Sequence, residues 1–147
     1  MIATVDNGSR QDRSPDVQDD LEKAMKGEAY AYAKYMLYAE RARARGNGDL
    51  AILFENTAAT ERLEHFRELA ELAGLVGQSD ADNLRDAIAG ETFETSTMYP
   101  EMAARARAAG DDQATSRFAE LGNDESSHRS AYSAALLKLE GSKAAAS

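Results

Sequence analysis

Four glutamates, Glu28, Glu61, Glu91 and Glu125, each fall inside the apolar stripe of their own helical segment, and their spacing repeats. Glu61 lies 33 residues after Glu28, and Glu125 lies 34 residues after Glu91. Three of them carry a second donor three residues on: Glu64 after Glu61, Glu94 after Glu91, and His128 after Glu125. Residues three apart on a helix share a face. Carboxylates gathered in an apolar interior repel one another, and they must either take up protons or hold cations. Helices offering Glu, Glu-x-x-Glu, Glu-x-x-Glu and Glu-x-x-His to a common axis form the donor pattern of a carboxylate-bridged pair of metal ions. This pattern restricts the chain to a helical bundle with a polar, cation-holding interior.

The rest of the sequence agrees with an all-α class. Alanine, Leu, Glu and Arg dominate the periodic segments, strand-like β-branched runs are absent, and the two prolines are Pro15 and Pro100. At 147 residues the expected folded part is one domain. With no cysteine, disulfides, thiolate-ligated metals and thiol catalysis are excluded. A net charge of -9 argues against a nucleic-acid partner. No signal-type or membrane-spanning apolar run stands out, so a cytoplasmic location is expected.

The periodicity predicts four helices. The first runs from about Asp16 to Arg45 and the second from Asp49, as N-cap, to Ala73, buried through Leu50, Leu53, Glu61, Leu69 and Leu72. The third starts near Leu84 and stops near Gly110. The fourth runs from Asp111 to about Glu140 through Phe118, Glu125, His128 and Tyr132. Residues 1–15 are expected to form a flexible leader, 74–83 the central connection and 141–147 a flexible tail.

The two halves read as copies of one helical hairpin. Ala24-Met-Lys-Gly-Glu28 matches Ala87-Ile-Ala-Gly-Glu91 at an offset of 63, and from Arg41 onward the offset is 64, pairing Phe54 with Phe118 and Glu61 with Glu125. Duplication of a hairpin gives a bundle with two similar half-sites. Gly27 and Gly90 recur at helix-interior positions, where each costs roughly 1 kcal/mol relative to Ala. Close backbone approach beside the site is one reading of them, and inheritance from the duplication is the other.

These residues resemble those of the rubrerythrin family. Gly27-Glu28 with Tyr35 seven residues on is similar to that family's first helix. Glu91-Thr-Phe-Glu94 running into Met98-Tyr99-Pro100 is similar to its third, and Glu125-Ser-Ser-His128 to its closing Glu-x-x-His. The resemblance spans about residues 17–140 and implies a ferritin-like four-helix bundle built from two helical hairpins. It also implies two iron ions (manganese is the other candidate) bridged by Glu61 and Glu125. Glu28 and Glu94 would serve one metal, and Glu91 and His128 the other.

Tyr35 and Tyr99 fall where the family keeps two tyrosines near the metals, as candidate catalytic residues. On the second helix the family's usual histidine place falls on Glu64, with His65 one residue later. Glu64 is the favoured donor there, resembling the extra carboxylate of the symerythrins, and His65 is the other candidate.

The resemblance implies a diiron peroxidase that reduces hydrogen peroxide to water. Without cysteine the chain resembles the short members that lack a rubredoxin domain, so electrons would come from a separate donor such as a rubredoxin or a reductase. The other readings are an iron-storing ferroxidase, a diiron oxidase using dioxygen, and a purely structural helical dimer. In a ferritin-like bundle the second and third helices are parallel, and a short connection between them predicts a homodimer, with the hairpins either exchanged between chains or kept within one chain.

Overall fold

The computed structural model describes residues 13–144. It consists of two helical hairpins, residues up to Val76 and residues from Gly77 onward. The first helix (Pro15–Ala44) packs along the second, which runs over 48–73 as Gly48–Thr60, a π-helical turn Glu61–Phe66, and Arg67–Ala73. The third runs over 80–108 as Asp80–Phe93, a π-helical turn Glu94–Met98, and Tyr99–Ala108. It packs along the fourth, Asp112–Ala144. The all-α class is as the sequence predicts.

Three helices stop in the same way. Gly46, Gly74 and Gly110 adopt φ of 81°, 64° and 75°, in the left-handed region where a side chain is strained. Just beyond each, a backbone N–H reaches back five residues: Asn47 to Ala42, Leu75 to Ala70 and Asp111 to Ala106, at 2.9–3.0 Å. That closure satisfies carbonyls the helix end would otherwise leave unpaired. The fourth helix is opened by Asp111, whose Oδ1 accepts from the Ala114 N–H at 2.9 Å.

Several boundaries differ from expectation. The third helix starts at Asp80 rather than near Leu84, because Ser79 caps it by accepting from the Asp82 N–H at 3.2 Å. The Gly77 N–H also donates to Asn83 Oδ1 at 2.6 Å, pinning the chain to the helix start. The central connection is therefore 74–79, shorter than the expected 74–83. The second helix starts at Gly48 after Asn47, so Asp49 lies within it and is not the N-cap. The first begins at Pro15, whose fixed φ suits a first turn. Of the expected leader, residues 1–12 lie outside the described residues. The fourth helix runs through Gly141 to Ala144, which corrects the expected start of the tail; 145–147 lie outside the described residues.

Within the hairpins the seam is made of small residues. Met25, Ala39, Ala42, Ala51, Ala58 and Ala70 are buried in the first hairpin, and Ala81 and Ala103 in the second. Phe54 packs on the cluster of Ala39, Ala42 and Ala51. Two helices facing each other cover only a narrow strip of a wide apolar face. Leu50, Leu53, Leu72 and Tyr132, expected to be buried, are accordingly exposed, Leu53 at 60%. Gly27 and Gly90 meet nothing within 4 Å of where a Cβ would stand, so the expected close approach is not found within either hairpin.

Candidate metal centre

Each hairpin gathers two glutamates and a histidine at mid-length. In the first, Glu28 comes from the first helix and Glu61 and His65 from the second, with donor atoms all within 4.8 Å of one another. In the second, Glu91 comes from the third helix and Glu125 and His128 from the fourth, within the same limit. The two groups match in their histidine-to-carboxylate distances. His65 Nδ1 lies 2.7 Å from Glu61 Oε2 and 3.8 Å from Glu28 Oε2. His128 Nδ1 lies 2.6 Å from Glu125 Oε2 and 3.8 Å from Glu91 Oε1.

The likeness is unexpected at one point, since His65 follows Glu61 by four residues and His128 follows Glu125 by three. The π-helical turn Glu61–Phe66 accounts for it. A turn closed by i→i+5 bonds holds one residue more than an α-turn, so the aligned position moves from three residues on to four. His65 thereby takes the place in its hairpin that His128 takes on regular helix. The structure brings His65, and not Glu64, into the donor group.

The second π-helical turn, Glu94–Met98, does the converse. Between Glu91 and Arg105 the second copy of the repeat has one residue more than the first, and the wide turn sits in that interval. Beyond it Tyr99 regains the position of Tyr35. Tyr35 lies 6.1 Å from Phe54 between ring centroids, and Tyr99 lies 6.4 Å from Phe118. Both tyrosines are partly buried, one per hairpin. Glu94 opens this turn, partly buried and outside the three-residue donor group.

Electrostatics follow from the geometry. Hydrogen bonds donated to the Glu61 and Glu125 carboxylates hold the His65 and His128 imidazoles above their ordinary range. Burial, then the neighbouring Glu125 carboxylate, pushes the Glu91 carboxyl up. Burial, then Glu94, Glu125 and Glu91, pushes the Tyr99 phenol up. Among the described residues, Glu91 Oε2 is a buried acceptor without a hydrogen-bond partner. An orphaned carboxylate oxygen beside a second carboxylate and an imidazole is what a divalent cation satisfies. Oxygen and imidazole donors together suit iron or manganese.

A metal-free test follows for Glu91. Its raised carboxyl keeps a proton in the folded chain at pH values where the unfolded chain, near 4.5, has released it. The metal-free fold therefore loses stability as pH rises through that window, because the folded state binds the extra proton. Glu91→Gln removes the ionisation. Thermal melting in chelator at pH 7 is expected to show the variant more stable than the parent, with no such advantage at pH 4.

A rubrerythrin family model matches residues 19–136. The chain belongs to the rubrerythrin family. It is 34% identical over 129 residues to nigerythrin of Nitratidesulfovibrio vulgaris, covering 80% of this chain and 64% of that protein. Over 130 residues it is 31% identical to rubrerythrin of Porphyromonas gingivalis, with the same coverage of each. A putative rubrerythrin of Methanocaldococcus jannaschii is 30% identical over 141 residues, covering 82% of this chain and 69% of that one. The chain thus spans about two thirds of the curated relatives it matches, slightly under that share for the first two. Among solved structures, a mixed-valent state of nigerythrin is similar at 31% identity and a TM-score of 0.43, covering 95% of this chain and 78% of that one. No helix among the described residues of this family member is long and apolar enough to cross a membrane.

Of the residues singled out from the sequence, Glu28, Glu61, Glu91, Glu125 and His128 fall in the two donor groups. Glu64 and Glu94 fall outside them. The sequence favours Glu64 over His65, whereas His65 is the residue within the donor group, and the repeat carries a signal for that placement. The repeat offset returns from 64 at Glu61 to 63 at His65, which marks one extra residue inside that turn.

Proposed function

We propose that this protein is a non-haem diiron oxidoreductase of the cytoplasm that reduces hydrogen peroxide to water. The observation that carries the reading is the pair of matching Glu-Glu-His groups in a chain of the rubrerythrin family. Two reduced irons would supply two electrons to hydrogen peroxide, which takes up two protons as its O–O bond breaks and leaves as two waters.

The chain's own residues do the rest. Glu61 and Glu125, whose side chains are 14% and 15% exposed, would bridge the metals; Glu28 and Glu94 would serve one, and Glu91 and His128 the other. His65 is the better-placed second-helix donor, with Glu64 beside it as the other candidate. Tyr35 and Tyr99 offer phenol O–H donors to the substrate. A raised phenol, as at Tyr99, stays protonated at neutral pH and keeps that donor. None of these 147 residues is a cysteine, so they hold no thiolate-ligated electron-transfer centre, and electrons would come from a donor such as a rubredoxin or a reductase.

The working form is proposed to be a homodimer with exchanged hairpins. From Ala73 to Asp80 the connection can reach at most about 25 Å. The helices on either side, 48–73 and 80–108, are about 39 and 43 Å long. In a ferritin-like bundle the third helix starts at the end where the second started, and the connection is too short for that crossing within one chain. Pairing each hairpin with its complement from a second chain requires no crossing. Sedimentation equilibrium is expected to give a dimer at micromolar concentration; a monomer that binds two irons would refute the exchange.

The activity is tested by loading Fe(II) anaerobically and following ferric absorbance after mixing with one equivalent of hydrogen peroxide or with air-saturated buffer. Oxidation by peroxide is expected to be at least about tenfold faster. Equal rates would favour a dioxygen-using oxidase or ferroxidase.

A further inference from the structure

Beside Glu91 Oε2, the other buried side-chain atom without a hydrogen-bond partner among the described residues is Thr95 Oγ1. Leaving a hydroxyl buried and unpaired is unfavourable, and a helical threonine has an easy remedy in the carbonyl four residues back. Its neighbours take that remedy. Thr92 Oγ1 donates to the Ile88 carbonyl at 2.6 Å, and Ser96 Oγ donates to the Thr92 carbonyl at 2.7 Å. Thr95 makes no such bond, although it lies between them.

Its place explains what the free hydroxyl is for. Thr95 follows Glu91 by four residues and stands in the π-helical turn Glu94–Met98. Residues four apart share a helix face, so the two orphaned atoms lie on the face that carries the second donor group. One is an acceptor suited to a cation, and the other is a donor with nothing to donate to.

We propose that the Thr95 hydroxyl binds the small oxygen substrate next to Glu91, donating a hydrogen bond to an oxygen of hydrogen peroxide. The role rests on the metal-centre reading above. It adds a neutral donor that fixes the substrate's orientation and involves no proton transfer or covalent step. The same hydroxyl binds any small anion that enters beside Glu91.

The test uses iron-loaded protein and azide, a small anion whose binding to ferric iron is followed by its charge-transfer absorbance. Thr95→Val keeps the branched shape and removes the hydroxyl, and Thr95→Ser restores a hydroxyl. Iron is counted on every sample, so loss of the metal centre is told apart from loss of the hydroxyl. With two irons per chain in all three proteins, Thr95→Val is expected to bind azide about tenfold more weakly, and Thr95→Ser to return to within about threefold of the parent. Metal-free Thr95→Val is expected to melt at the same or a higher temperature than the parent, since it loses an unpaired polar atom.

Unchanged azide affinity in Thr95→Val, or no recovery in Thr95→Ser, would overturn the proposal. So would the absence of azide binding in the parent. A clear drop in the metal-free melting temperature of Thr95→Val would also overturn it, by showing that the hydroxyl serves the fold.

Discussion

Replacing Glu61 or Glu125 by alanine is expected to abolish tight binding of the metal pair, lowering iron from two per chain to one weakly held ion or none. Each is at most 15% exposed in its side chain and lies within hydrogen-bonding distance of the histidine of its group. If each bridges, its loss removes a donor from both metals at once, so the effect exceeds that of removing a terminal ligand. The metal-free helices should survive, because the buried residues are alanines in both hairpins, with Met25 and the packed Phe54 in the first, and not these carboxylates. Iron analysis after gel filtration, with far-ultraviolet circular dichroism on the same samples, separates loss of the site from loss of the fold. Two retained irons in either variant would remove that glutamate from the bridging role.

The second large effect is expected at the π-helical turn of the second helix. His65→Ala should weaken binding of one metal by at least about 100-fold, more than the 10–100-fold typical of an outer-shell partner. Glu64→Ala should change it by less than about threefold, because Glu64 is exposed and outside the donor group. Deleting Leu63 should preserve binding, since Glu61 and the histidine would then stand three apart on regular helix, as Glu125 and His128 do. Isothermal titration with a redox-inert divalent ion such as Zn(II) reads all three variants. The reverse order, with Glu64→Ala the severe variant, would restore the carboxylate as the second-helix donor.

This pair of residues also shows where sequence reading succeeds and where it stops. The all-helical class, the two-copy architecture and five of the six clustered donors were legible, because each rests on a helical period or on a repeated spacing. The choice between Glu64 and His65 was read with α-helical geometry, in which a residue three on and a residue four on lie to either side of the first. One π-turn changes which of them aligns. The internal repeat marks the place of both wide turns, for its offset slips by one residue at each, but a slip is informative only once its structural cause is known.

Capping chemistry set the other limits. Ser79 and Asn83 bind the start of the third helix and shorten the connection, and such side-chain bonds leave no periodic trace. The large apolar residues read as core are exposed because one hairpin covers only part of each face. A polar atom without a partner, as at Thr95, becomes visible only when every neighbour's hydrogen bond has been placed.

The most direct test of the central claim is an anaerobic Fe(II) titration of the metal-free protein, with iron counted per chain and followed by Mössbauer spectroscopy after oxidation. The proposed single centre, shared by the two matching groups, predicts saturation at two irons per chain and an antiferromagnetically coupled, diamagnetic diferric pair. Saturation at a single iron, uncoupled ferric ions, or uptake of many irons per chain would contradict the dimetal centre on which this account of function rests.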